Sequence, residues 1–193
     1  MNKIEFLNVV DQAVHTDTRP EWLRDMVCRP NWLYYQAFIY LTKYVNPKLI
    51  VELGTQAGVG ALHFRQGSST AKIITVDIRP YPGEGKGLRD ENNIESVICD
   101  STEYAKQVKD KTVDILFCDA NHTYESVIAE ITAWMPKMAP NGILLFDDIW
   151  LLKNKPEDKG MCRAWEELSK KYGKETFEVM KLHPAVNFGI ILL

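Results

Sequence analysis

Val113-Asp114-Ile115-Leu116-Phe117-Cys118-Asp119, followed by Ala120-Asn121-His122, and Gly142-Ile143-Leu144-Leu145-Phe146-Asp147-Asp148 are the two stretches that decide the fold. Short runs of Ile, Leu, Val and Phe bounded by turn residues read as buried strands, and the stretch between them reads as a helix. Strand, helix and strand make a parallel pair, whose strands finish on the same edge of the sheet. Asp119 and the Asp147-Asp148 doublet are therefore expected to emerge side by side, on the edge where open α/β sheets bind ligands.

Working outward, the same alternation extends through most of the chain. Strands are expected near 48–53, 72–77, 94–99, 113–118 and 142–147, with helices near 59–66, 102–109 and 124–135. The helix between the two opening strands places Val127, Ile128, Ile131, Trp134 and Met135 on one face, and Pro136 follows it. A last helix carries Met161, Trp165, Leu168 and Tyr172 and stops at Gly173. Beyond it, Thr176–Leu182 and Asn187–Leu193 are separated by only four residues, too few for a crossover, so they form an antiparallel hairpin. The expected fold class is α/β: a Rossmann-like, doubly wound, seven-stranded sheet, mostly parallel, with a C-terminal antiparallel hairpin.

Residues 1–46 read as a helical extension and 47–193 as the main domain. Thr18-Arg19-Pro20-Glu21 has the form of a capping box with proline in the first turn. A further helix opens after Pro30, with Leu33, Ala37, Tyr40, Leu41 and Tyr44 on one face until Asn46-Pro47. The surplus of aromatic residues there, Trp22, Trp32, Tyr34 and Tyr35, suits packing onto the sheet, a dimer contact or a lid.

The 193 residues are 46% hydrophobic, enough to bury one substantial core. A net charge of -3 gives no overall bias toward nucleic acid. No apolar run approaches the roughly 20 residues of a membrane span, so a soluble, cytoplasmic protein is expected. Cys28, Cys99, Cys118 and Cys162 lack CxxC spacing and are expected to be reduced thiols.

The first chemistry lies in Leu49-Ile50-Val51-Glu52-Leu53-Gly54-Thr55-Gln56-Ala57-Gly58-Val59-Gly60. A strand runs into a glycine-rich turn and then a helix, so the backbone can approach a ligand closely. GxxxGxG is not the GxGxxG of dinucleotide enzymes, and Glu52 before the first glycine suits an ammonium or sulfonium better than a pyrophosphate. Asp77 closes the next strand where a carboxylate grips a ribose diol, and Asp100 ends the third, where it faces a base or caps the helix at Ser101.

In the order and spacing of these motifs, the segment from about Lys48 to Leu193 resembles the class I S-adenosylmethionine-dependent methyltransferases. The resemblance implies a methionine end held at Glu52, Gly54, Thr55 and Gly58, ribose at Asp77, and adenine near Asp100 and Ser101, with Asp119 also beside the cofactor. Asp119-Ala120-Asn121-His122 with Asp147-Asp148 is similar to the metal sites of catechol-type and antibiotic-sugar O-methyltransferases and of the cephalosporin-hydroxylase-like group. That likeness implies Mg²⁺, Mn²⁺ or Ca²⁺ on Asp119, Asp147 and Asp148, an all-oxygen set suited to a hard cation. His122 is then the candidate base, imidazole being the side chain suited to proton abstraction at neutral pH. The expected reaction is methyl transfer to a hydroxyl of a small molecule. A nicotinamide-dependent reductase and a non-catalytic nucleoside-binding module remain as alternatives. Both doublet acids can bind one ion only if the strand has already ended at Asp147, because strand alternation sends successive side chains to opposite faces.

Overall fold

The computed structural model describes residues 35–80, 88, 93–149, 160–172, 175–183 and 186–193. The capping box at Thr18–Glu21 and the aromatic residues Trp22, Trp32 and Tyr34 lie outside these residues. The elements are α1 (Gln36–Val45), β1 (Leu49–Leu53), α2 (Val59–Gly67), β2 (Lys72–Asp77), β3 (Ile94–Ile98), α3 (Ser101–Ala105), β4 (Val113–Cys118), α4 (Tyr124–Trp134), β5 (Met138–Phe146), α5 (Gly160–Tyr172), β6 (Glu175–His183) and β7 (Val186–Leu192).

The strands form one sheet in the order β3-β2-β1-β4-β5-β7-β6. β1 to β5 pair in parallel, while β7 runs antiparallel to both β5 and β6. The chain therefore winds outward from β1 in one direction and from β4 in the other, which makes the C-terminal ends of β1 and β4 the topological switch point.

Alternation along the strands divides the core into two faces. Ile50, Ile115, Phe117, Ile143 and Leu145 join α1 and α2 through Phe38, Leu62 and Phe64. Val51, Leu53, Leu116, Cys118, Leu144 and Phe146 meet α4 and α5 through Val127, Ile131, Trp134, Trp165 and Leu168. Phe38 stacks on Phe64 at 4.8 Å, so the helix counted with the N-terminal extension is part of the same core as the sheet. On the other face, a Cβ at Gly189 of β7 would meet the Trp165 ring at 2.5 Å; the glycine leaves room for α5 to close over the sheet.

Some boundaries differ from those expected. β5 starts at Met138 rather than 142, because Met138 pairs with Val113 across an irregularity in the β4–β5 ladder. α3 is a five-residue helix where eight residues were expected. Phe38, Ile39 and Thr42 are buried in α1 while Tyr44 is 46% exposed, so its buried face is rotated from the one the spacing implied. β3 lies at the sheet edge, and its half-exposed Ile98 is no core residue. Cys99 follows β3 and is partly exposed, while Cys118 and Cys162 are buried.

Candidate active site

The switch point holds the glycine turn. Gly54 adopts φ +97°, and a Cβ there would lie 2.1 Å from the Asp119 carbonyl oxygen. Only glycine fits, and the close approach locks the end of β1 to the end of β4, where the Asp119 N–H donates to Leu53 at 2.9 Å. Gly58, at φ +74°, caps the N-terminus of α2. The third glycine makes room for a side chain, since a Cβ at Gly60 would sit 2.0 Å from Glu52 Oε1.

Glu52 is therefore beneath the turn rather than in the open. It is 2% exposed and in register between Thr75 and Phe117. The Thr75 hydroxyl donates to its Oε2 at 2.6 Å and lies 2.8 Å from the Thr55 hydroxyl. Burial pushes the Glu52 carboxyl up to about 8, against the hydrogen bond from Thr75. The sequence reading sets this acid against a ligand cation; the structure places it buried, bonded to the Thr75 hydroxyl and the Ala61 backbone.

A cavity of about 1120 Å³ runs across the strand ends, lined by Gly54, Gln56, Asp77, Ile78, Arg79, Asp100, Ser101, Asp119, Asn121, His122 and Glu130 among others. Asp77 Oδ2 accepts the backbone N–H groups of Thr55 at 3.0 Å and Gln56 at 3.2 Å, so the carboxylate at the end of β2 holds the glycine turn in shape. Asp100 caps α3, its Oδ1 accepting from the Thr102 N–H at 2.8 Å and hydroxyl at 2.5 Å. These bonds hold its carboxyl below the ordinary carboxylate range. Asp100 is thus a helix cap that also lines the cavity.

Asp119 and His122, after β4, also line the cavity, and the acids that follow β5 stand beside them. β5 ends at Phe146, so Asp147 and Asp148 follow the strand rather than alternate within it, and Asp148 takes the left-handed conformation at φ +52°. That turn brings both acids toward His122 and Asp119. His122 Nε2 is 3.5 Å from Asp119 Oδ1, and its Nδ1 is 3.7 Å from Asp148 Oδ2. Tyr35 donates its hydroxyl to Asp119 Oδ2 at 3.2 Å, a contact across 84 residues of sequence. Asp119 and Asp147 share a carboxyl–carboxylate hydrogen bond.

Burial and mutual repulsion raise all three acids. Asp119 and Asp148 are each pushed up to about 7, and Asp147 is raised well above the ordinary range. His63, by contrast, is buried packing on α2: its Nδ1 lies 2.7 Å from the Val59 carbonyl and its ring rests against Tyr35. Among the described residues, no three His, Cys, Asp or Glu side chains stand in a ready metal-holding arrangement.

These raised carboxyls make stability depend on pH. In the unfolded chain they titrate near 4, so between about pH 4 and 8 the folded state binds more protons than the unfolded one. Their stabilising contribution is complete below pH 4 and is lost as pH rises through 7 to 8. Glu95 and Asp100, held low, act with the opposite sign but only at more acidic pH. The melting temperature measured with chelator present is expected to fall from pH 5 to pH 8, on the order of 5 °C. A melting temperature that stays level or climbs over that interval contradicts the assignment of buried, unneutralised acids.

One lining residue was not singled out by the sequence. Glu130, on α4, is 7% exposed and accepts the Ser101 hydroxyl at 2.8 Å. A signal existed: Glu130 falls on the same helical face as Val127, Ile131 and Trp134, where an acid is out of place unless something there requires its charge or its lone pairs.

A family model described as a methyltransferase domain matches residues 51–149. Among curated proteins, the uncharacterized protein y4gI of Sinorhizobium fredii (strain NBRC 101917 / NGR234) is 26% identical over 156 residues, 72% of this chain but 17% of that protein. The chain thus spans about a sixth of that relative's length. Among solved structures, an O-methyltransferase from Bacillus cereus in complex with SAH superposes with a TM-score of 0.70 at 14% identity, covering 96% of this chain and 97% of the other. TomG from Streptomyces achromogenes, an O-methyltransferase involved in Tomaymycin synthesis and solved with SAM, gives 0.72 at 12% identity, covering 100% and 99%. At such identities the likeness is one of fold.

Proposed function

The chain belongs to the methyltransferase-domain family, and from that premise we propose that it is an S-adenosylmethionine-dependent O-methyltransferase that acts, with a divalent cation, on a hydroxyl of a small molecule. Its fold is that of the class I S-adenosylmethionine-dependent methyltransferases. The observation that carries the oxygen-directed reading is that His122 and Asp119, which line the same cavity as Asp77, Asp100 and Ser101, have Asp147 and Asp148 beside them.

Asp77 spends part of its accepting capacity on the glycine turn, yet a carboxylate has about four lone-pair sites, and the remainder suit a ribose diol. The methionine end then follows the Gly54–Gly58 turn toward β4. Methyl transfer to oxygen needs an anionic acceptor aligned behind the methyl group. In this reading His122 takes the acceptor's proton, its ring lying 3.5 Å from Asp119 and 3.7 Å from Asp148. An anionic oxygen and a sulfonium react to neutral products, which exclusion of water favours.

The donor set suits a hard cation. Three carboxyls are crowded together with their pKa values raised, and a divalent ion relieves that repulsion. Asp119, Asp147 and Asp148 are the residues that would hold such an ion, and it would supply Lewis acidity to an acceptor oxygen.

Thermal shifts with S-adenosylmethionine, S-adenosylhomocysteine and NAD, each with Mg²⁺ or chelator, test this reading, followed by assay of S-adenosylhomocysteine release with polyphenol and sugar acceptors. Stabilisation by both sulfur nucleosides, and turnover lost with chelator, are expected. Stabilisation by NAD alone would return the nicotinamide reading.

A further inference from the structure

Glu130 is a buried acid that the proposed chemistry does not use. It lies on the apolar stripe of α4, and among the described residues neither lysine nor arginine forms an ion pair with it. The Ser101 hydroxyl, at the start of α3 and 29 residues away in sequence, donates to one of its oxygens. Burial, and Asp100 nearby, push its carboxyl up to about 6. A carboxylate in such a place costs stability unless a donor meets its remaining lone pairs.

The layout of the cavity says what that donor is, given the methyltransferase reading on which this inference rests. The sulfonium must face the acids and His122, and the ribose lies at Asp77. The base therefore extends the opposite way, past the end of β3, where the Cys99 N–H is bonded to the Asp77 carbonyl at 2.8 Å. Ser101 and Glu130 both line that end. Ser101 has committed its only hydroxyl hydrogen to Glu130, so both side chains present lone pairs to a ligand.

We propose that Glu130, positioned by Ser101, reads the exocyclic amine of the cofactor's adenine and so selects adenine over a base with an oxo group at that position. An amine donates to the free carboxylate oxygen. An oxo group turns lone pairs toward it and is repelled, leaving two buried polar groups unmatched.

Calorimetric titration of the whole chain with S-adenosylhomocysteine and S-inosylhomocysteine tests this. The native chain is expected to prefer the adenine compound by at least about tenfold. In Glu130→Gln the amide offers both donor and acceptor at unchanged size, and the preference shrinks to within about threefold or inverts. Ser101→Ala, which leaves the carboxylate but releases it, gives a preference between the two. Melting curves check that each variant is folded. An unchanged preference in Glu130→Gln overturns the proposal and leaves Glu130 as a staple between α3 and α4. Failure of the native chain to bind either compound overturns the methyltransferase reading and this inference with it.

Discussion

His122→Ala is expected to lower the rate of methyl transfer by roughly 10²- to 10⁴-fold while S-adenosylhomocysteine affinity stays within about threefold of the native value. The separation follows from position. His122 lines the cavity at its acidic end, between Asp119 at 3.5 Å and Asp148 at 3.7 Å, and away from Asp77, Asp100 and Ser101, which wall the nucleoside end. Removing the imidazole takes away the group proposed to receive the acceptor's proton, but leaves the glycine turn and its Asp77 anchor untouched. Raising the pH should restore part of the rate, because an acceptor that ionises in solution has less need of a base. Native turnover in the variant, with any acceptor that the native chain methylates, removes His122 as the base. A parallel loss of cofactor affinity would instead make it a binding residue.

The strands and the acids that end them were legible because a buried parallel strand is written as an uninterrupted apolar run, and a parallel pair must finish on one edge. β4 and β5 illustrate this: Asp119 and Asp147 follow their last strand residues, Cys118 and Phe146, which are paired in register. The terminal antiparallel strands were legible from a link too short for a crossover. What the sequence left hidden lies in the third dimension. Period-two alternation puts Glu52 on the face of Ile50, toward α2, but not how deep; depth depends on Gly60, whose missing Cβ makes room for the carboxyl. Tyr35 reaches Asp119 only through the packing of α1 on the sheet, which local pattern does not encode. Asp148's left-handed turn, which brings both doublet acids to one side, is also a backbone choice that the residue type permits without requiring. Glu130 was readable in principle, as an acid on an apolar helical stripe, but its partner Ser101 was not.

Asp119→Asn is expected to make the chain a poorer catalyst and, without metal, a more stable protein. Asn preserves size and can still accept the Tyr35 hydroxyl, and the backbone lock between Asp119 and Leu53 does not involve the side chain. What disappears is one carboxyl from a cluster whose members are raised first by burial and then by one another's charge. With chelator at pH 8, where those charges oppose one another most, the variant should melt above the native chain. With Mg²⁺ the order should reverse, because the native acids gain a counter-ion and the variant has lost a ligand; the rate of methyl transfer should then fall by roughly 10²- to 10³-fold, the scale of losing one preorganised electrostatic contact. A structural acid behaves otherwise: if Asp119 only held Tyr35 and His122 in place, its replacement would lower stability in chelator and leave the Mg²⁺ increment unchanged. Melting curves of the two chains at pH 8, with and without Mg²⁺, therefore separate a charge kept for a cation from a charge kept for the fold.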